Sequence, residues 1–276
     1  MELSDNLKKA ITLLYSSGNY SDKDYEQRYI KAVKILKKES QNGDANAIYF
    51  LSRTYFGEQY IPNVSVGEKY ENSQLGYQFL RQSFDQRSPF AIINGALRVS
   101  CGITDEAIRN LIAEEPKAFS QAIAQIEEWA DNGNYFANYI LASFFYWGDN
   151  QLFGDTNHRD DLALKYYSKA QKNGMIVDNF AYNILDTVVN LENETELTRW
   201  YKIIANSGYP DKTIVSMLDI ANNPWAHAMV YLYGFGRDID VSKAYKICKR
   251  NKIRSLLTNF IKTGFFSSPI YNYPQT

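Results

Sequence analysis

Apolar residues recur at three- and four-residue spacing along much of the chain, and the pattern repeatedly ends at a glycine. In residues 161–174, the apolar positions fall on one face of a helix that ends at Gly174. Similar endings occur at Gly43, Gly133 and Gly208. The pattern predicts amphipathic helices, each closed by a glycine in the left-handed conformation.

A second kind of helix follows several of these glycines. Residues 44–57 and 135–148 open with small residues and close on aromatic residues. Gly133 and Gly174 are 41 residues apart, Gly174 and Gly208 are 34 apart, and the 90 residues from Gly43 to Gly133 fit two longer units. These periods are typical of helix-pair repeats. They predict an all-α solenoid of antiparallel helix pairs, in which each pair covers its apolar face against the next.

Two stretches carry a resemblance to a known family: residues 231–245, and residues 137–148 taken with 161–174. They resemble the Sel-one-like repeats, which are related to tetratricopeptide repeats. Weaker units are suggested at residues 42–87, 88–133 and 175–208, although residues 58–74 form a long loop for this family. The resemblance implies a right-handed superhelix of about five to six helix pairs in one domain over residues 1–264, followed by a tail at residues 265–276.

Composition narrows the class of partner. Thirty basic and 31 acidic residues leave a net charge of −1, which provides no global field for nucleic acid or an anionic membrane. The first residues show no signal-peptide pattern, and no apolar run is long enough to span a membrane. Cys101 and Cys248 suggest no disulfide framework. We therefore expect a soluble cytoplasmic protein with two buried thiols.

Candidate chemistry is sparse. Of the two histidines, His227 is expected on a helix in a structural role. His158 lies in a polar loop whose Asp160 or Asp161 is expected to cap the next helix, a reading favoured over a cation site because the calcium-loop spacing is missing. No phosphate-binding loop or acid and base pair is evident, so we expect no catalytic residues, no cofactor and no metal.

The chain contains 22 Tyr and 15 Phe, more than repeat cores require, and surplus tyrosine favours recognition. In related repeats the first helix of each pair lines the concave surface. Carried over to this chain, that orientation predicts partner-binding residues at Asn46, Tyr49, Arg53, Phe136, Tyr139, Ser143 and Tyr146. The alternative is that these side chains only pack between repeats. Basic residues also cluster at 246–254, which indicates a solvated face or an acidic partner.

The leading hypothesis is a non-enzymatic scaffold or adaptor, cytoplasmic and bacterial, that binds a protein or peptide in its concave groove. An immunity protein that sequesters a cognate toxin is the alternative within binding. An enzyme with a site in residues 58–74 or 209–224 is the rival from another class, and self-assembly is a third possibility.

Overall fold

The computed structural model describes residues 2–16, 18, 20–57, 61–96, 103, 105–147, 160–175, 224–234, 238–251, 253–254 and 257. The chain divides into two compact units, Met1–Asp178 and Asn179–Thr276. The single domain over residues 1–264 stays a prediction, and the tail at 265–276 lies outside the described residues.

Helices dominate the described residues, which confirms the all-α prediction, whereas the superhelical arrangement stays a prediction. In the first unit the helices are α1 (Asp5–Tyr15), α2 (Asp22–Gln41), α3 (Ala45–Tyr55), α4 (Val64–Tyr70), α5 (Ser73–Asp85), α6 (Pro89–Gly95), α7 (Asp105–Glu114), α8 (Ala118–Asp131), α9 (Tyr135–Trp147) and α10 (Asp160–Lys172). In the second unit they are α11 (Pro224–Tyr233) and α12 (Val241–Arg250).

Neighbouring helices pack in chain order. Helix α1 packs on α2, α3 on α5, α6 on α8, and α9 on α10, while α2 with α3, α5 with α6 and α8 with α9 link one pair to the next. Helices α4 and α7 are short insertions within the second and third pairs. In this order each helix hairpin contacts the next one along the chain.

The same three-residue connection joins successive pairs. After α2, the amide of Gly43 donates to the carbonyl of Ser40 and the amide of Asp44 to that of Glu39, both at 3.1 Å. This is the Schellman arrangement. Asp44 is also the N-cap of α3, since its carboxylate accepts from the amides of Asn46 and Ala47. Asp44 thus takes part in both the C-terminal cap of α2 and the N-terminal cap of α3.

The expected glycines occupy this connection, and the structure adds one that is not glycine. Gly43, Gly133 and Gly174 have φ of 85°, 84° and 96°, which confirms their predicted left-handed conformation. Arg87 has φ of 64° at the equivalent place after α5. The four positions are separated by 44, 46 and 41 residues, so Arg87 divides the long interval into the two units expected there. Gly208 lies outside the described residues.

Replacing Arg87 with glycine is expected to give a more stable protein than replacing it with alanine, by about 1 kcal/mol, because alanine retains the cost of a left-handed residue. Both changes remove the ion pair of Arg87 with Glu115 (2.5 Å), so the comparison isolates the backbone. Chemical denaturation measures the difference. At exposed Glu128 inside α8, the same two replacements should favour alanine. If alanine is also the better residue at position 87, the left-handed conformation is contradicted.

Small residues on the second helix of each pair allow the helices to approach closely. Ala32, Gly76, Ala122 and Ala163 occupy this position in α2, α5, α8 and α10, and all four are buried. A Cβ atom on Gly76 would lie 2.9 Å from the ring of Phe56, so the glycine is required by packing.

The second unit contains one described hairpin. Trp225 and Met229 of α11 are buried, as are Ala244 and Cys248 of α12. The α12 C-terminus repeats the connection of the first unit, because the amide of Ile253 donates to the carbonyl of Cys248 at 2.9 Å. Among the residues that the structure describes, no helix combines the length and apolar character needed to cross a bilayer.

Candidate functional site

Aromatic side chains from four helices of the first unit meet in one cluster, hereafter the aromatic cluster. Its members are Tyr15 of α1, Tyr49, Phe50 and Arg53 of α3, Phe90 of α6 and Phe136 of α9. The ring of Phe136 lies 4.9 Å from Tyr15, 4.7 Å from Phe50 and 5.7 Å from Phe90. All five rings are 1% exposed or less, so the first helices of the pairs share one core.

This core brings the two ends of the first unit together. Ser16, just after α1, forms an antiparallel bridge with Met175, just after α10. The other end of α1 lies beside the α8–α9 connection, where Leu3, Lys8 and Trp129 help to line a cavity of about 310 Å³. Helix α1 therefore packs on α2 and also contacts the fourth pair at its C-terminal end, through Tyr15 and Ser16.

Side chains of α2 hold the end of α1. The last carbonyls of α1 need partners from beyond the helix, and that of Thr12 accepts from the amide of Ser16 at 3.2 Å. Arg28 donates to the carbonyl oxygens of Thr12 and Leu13, at 2.8 and 3.2 Å, and the Tyr25 hydroxyl donates to that of Leu14. These bonds fix the position of Tyr15 at the aromatic cluster.

Arg53 places a cation inside the cluster, where only 4% of the residue is exposed. Its Nε donates to the Tyr15 hydroxyl at 3.1 Å, and Nη1 donates to the Tyr49 hydroxyl at 3.2 Å. Its guanidinium lies 5.0 Å from the ring centre of Phe136. Desolvation of a charge is costly unless hydrogen bonds and ring faces replace water, and these contacts supply both.

Burial also changes the titration of the surrounding tyrosines. Removal of water raises the pKa of Tyr15 and Tyr49 above the ordinary value, while the nearby Arg53 charge opposes the shift. Burial raises the pKa of Tyr135 to about 12. The three hydroxyls stay neutral at physiological pH, and those of Tyr15 and Tyr49 accept hydrogen bonds from the guanidinium.

The seven predicted partner-binding residues fall into two groups. Tyr49, Arg53, Phe136 and Ser143 are buried, with exposures of 0%, 4%, 0% and 6%, so they pack inside this unit and expose no open surface. Their burial fits the alternative that these side chains pack between repeats, and a role in partner binding stays a prediction. Asn46, Tyr139 and Tyr146 are partly exposed, and for them partner binding stays a prediction. Asn46 also accepts a hydrogen bond from the Ser88 hydroxyl at 2.8 Å.

Three cluster members were not singled out from the sequence: Tyr15, Phe50 and Phe90. A signal for Phe90 exists, because it follows Arg87 by three residues, as Phe136 follows Gly133. This signal is easily missed, because Arg87 stands where the other units have glycine. Tyr15 has no comparable signal, since its contact with Phe136 joins residues far apart in sequence.

The loop proposed for an enzyme site contains a helix. Residues 64–70 form α4, which packs against α2 through Glu26: its carboxylate accepts from Lys69 at 2.6 Å and from the Tyr70 hydroxyl at 2.5 Å. The Lys69 hydrogen bond, followed by that of Tyr70, lowers the pKa of Glu26. The residues 209–223 of the other proposed loop lie outside the described ranges. In the ranges that are described, no three His, Cys, Asp or Glu side chains group as metal ligands.

The remaining candidates are resolved in part. His227 lies on α11, as expected, and Cys248 is buried as a free thiol whose pKa burial raises to about 11. Cys101 and His158 lie outside the described residues, as do the side chains of Asp160 and Asp161.

Comparison with known proteins gives no relative: no family model, no curated protein and no solved structure matches this chain.

Proposed function

We propose that this chain is a non-enzymatic scaffold that binds another protein or peptide. The observation that carries the proposal is the repeated connection at Gly43, Arg87 and Gly133, which joins helix pairs in the same way each time. Serial hairpins present extended surfaces made of side chains from several units, and this suits recognition of a protein.

The ionisable groups support binding over catalysis. The buried groups with raised pKa are mainly tyrosines, and burial is the first cause in each case. The shifted carboxylates, Glu26 and Glu115, are in ion pairs with Lys69 and Arg87. Neither group has the arrangement of a general acid beside a base. A net charge of −1 favours a protein partner over nucleic acid.

The partly exposed residues of α9 are the proposed contact surface. Tyr139 packs beside Phe136 of the aromatic cluster, and Tyr146 lies two turns farther along the same side of α9. Tyrosine contributes large contact area and a hydroxyl at low entropic cost, so these two side chains are suitable anchors.

Affinity capture from the native cell, followed by titration of the purified partner, tests the proposal. The Tyr139→Ala/Tyr146→Ala variant is expected to bind the partner about 30-fold more weakly, as for a loss of roughly 2 kcal/mol at a hot spot. Tyr77→Ala, on α5 with 42% exposure, is the matched control and should bind normally. Thermal unfolding of each variant establishes that it is folded.

Two outcomes would contradict the proposal at different levels. If the wild-type chain captures no protein beyond what beads alone retain, the scaffold function is wrong. If both variants bind a captured partner as tightly as the wild type, the function stands and the α9 surface is wrong.

A further inference from the structure

One side of α2 is an exposed lysine surface, here called the lysine face. It consists of Ile30, Lys31, Lys34, Lys37 and Lys38. All four lysines are exposed, and Ile30, one of the most exposed large apolar residues among those described, is 50% exposed. At 100° per residue these five positions span about 120° of the helix, opposite the buried Ala32 and Leu36.

The lysines of this face have no carboxylate at ion-pair distance among the described residues. Some basic side chains elsewhere in the unit are in ion pairs, among them Lys69 with Glu26, and others, such as Lys9, have none among the described residues. A helix dipole favours a cation only in the last turn, which accounts for Lys38 but not for Lys31 or Lys34. The face therefore carries four positive charges with no acidic residue between positions 30 and 38.

Packing does not require these lysines. Helix α8 keeps the two buried positions, with Ala122 in place of Ala32 and Ile126 in place of Leu36. At the positions of the four lysines it has Gln121, Ala124, Glu127 and Glu128. The repeat thus folds with neutral or acidic residues there. The lysines of α2 are therefore a feature of its exposed surface and are not needed for packing.

The same pattern occurs once more, on α12. Residues 243–250 repeat the order of residues 31–38, with lysines at 243, 246 and 249 and an arginine at 250. Ala244 and Cys248 are buried in the positions of Ala32 and Leu36. The exposed residues Lys246, Lys249 and Arg250 also have no carboxylate partner among the residues that the structure describes. Helices α2 and α12 therefore have the same pattern of buried positions, and each also has an exposed basic face.

We propose that the lysine face of α2 binds an acidic amphipathic helix of a partner protein. Carboxylates spaced three and four residues apart on such a helix match the spacing of Lys31, Lys34, Lys37 and Lys38, and one apolar side chain would cover Ile30. This surface is separate from the α9 residues of the proposed function, and the inference goes beyond that function.

The chemistry of the face distinguishes this partner from other anions. Ile30 is the one apolar member of the face, whereas membrane-surface helices insert a broad apolar side into the lipid. The face contains no aromatic ring on which a base could stack. The face is a row of four lysines that begins beside one exposed aliphatic residue, and a helix with spaced carboxylates and one apolar side chain complements both features.

Fluorescence anisotropy with the full chain and a labelled synthetic peptide tests the inference. The peptide carries Glu at helical positions i, i+4 and i+7 beside one Leu, and a scrambled peptide of identical composition is the reference probe. We expect the patterned peptide to bind about tenfold more tightly than the scrambled one. Lys31→Glu/Lys34→Glu/Lys37→Glu should weaken that binding by about tenfold or more, and Ile30→Ser by severalfold.

The matched control reverses three other exposed lysines, as Lys9→Glu/Lys117→Glu/Lys172→Glu, and should bind nearly as the wild type does. Equal binding of both peptides, or an equal loss in the two triple variants, overturns the inference because only net charge would matter. Tighter binding of a single-stranded RNA oligonucleotide or of phosphatidylserine vesicles also overturns it. None of these results depends on Tyr139 or Tyr146, so the proposed function is tested separately.

Discussion

Raising the pH from about 9 to about 11 is expected to remove several kcal/mol from the free energy of unfolding, because buried tyrosines ionise only when the chain unfolds. The pKa values of Tyr15, Tyr25, Tyr29, Tyr49 and Tyr135 are all raised, with burial as the first cause in each case. Above pH 10, the ordinary tyrosine value, the unfolded chain releases these protons and the folded chain retains them. The stabilisation that these tyrosines provide is therefore fully present below pH 10 and is lost as the pH rises above 10.

A tyrosine that stays neutral in the folded chain contributes a slope of about 1.4 kcal/mol per pH unit above 10, so several of them together remove several kcal/mol by pH 11. That loss is comparable to the total stability of a typical domain. Urea unfolding at a series of pH values measures the slope, and the ultraviolet absorbance of tyrosinate reports ionisation in parallel. Tyr49→Phe removes one of these ionisable groups, so it should reduce the slope by about 1.4 kcal/mol per pH unit. A flat stability curve to pH 11, or complete tyrosine ionisation in the folded protein, would contradict the burial of these side chains.

Local structure was largely predictable from the sequence, because its signals are local. Gly43, Gly133 and Gly174 marked helix ends, since glycine adopts the left-handed conformation without steric cost. Arg87 performs the same role with a side chain that carries no such signal, so its unit was recognised only weakly. The sequence does not predict helix α4, because seven residues are too few to display a clear helical period.

The site was predictable only in part, for a physical reason. A repeat pattern identifies which helix faces are apolar, so it indicated Tyr49 and Phe136. The pattern does not determine whether those apolar faces pack against each other or bind a partner. That depends on how the pairs turn relative to one another, and Tyr15 of the first pair reaches Phe136 of the fourth. The apolar faces of these two helices therefore pack against each other at this point.

The first and fourth helix pairs of the first unit are in contact, and a cross-link can test that contact. Residues opposite each other in an antiparallel bridge have Cα atoms about 4.5–5.5 Å apart, within the range that a disulfide needs. Ser16 and Met175 are such a pair. With Cys101 and Cys248 replaced by alanine, Ser16→Cys/Met175→Cys should therefore oxidise readily. The bond closes a loop of about 160 residues, which predicts a stabilisation of as much as about 5 kcal/mol.

The matched control is Ser16→Cys/Ser40→Cys. Arg28 contacts Ser16, and Ser40 lies about 18 Å farther along α2, so this pair is too far apart to bond. The decisive measurement is the fraction of monomeric protein that forms an intramolecular disulfide under mild oxidation, read by mass spectrometry. Nearly complete formation in the Ser16–Met175 variant, with almost none in the control, is the predicted result. Failure of the Ser16–Met175 cysteines to pair while the protein remains folded would show that the first and fourth pairs stand apart.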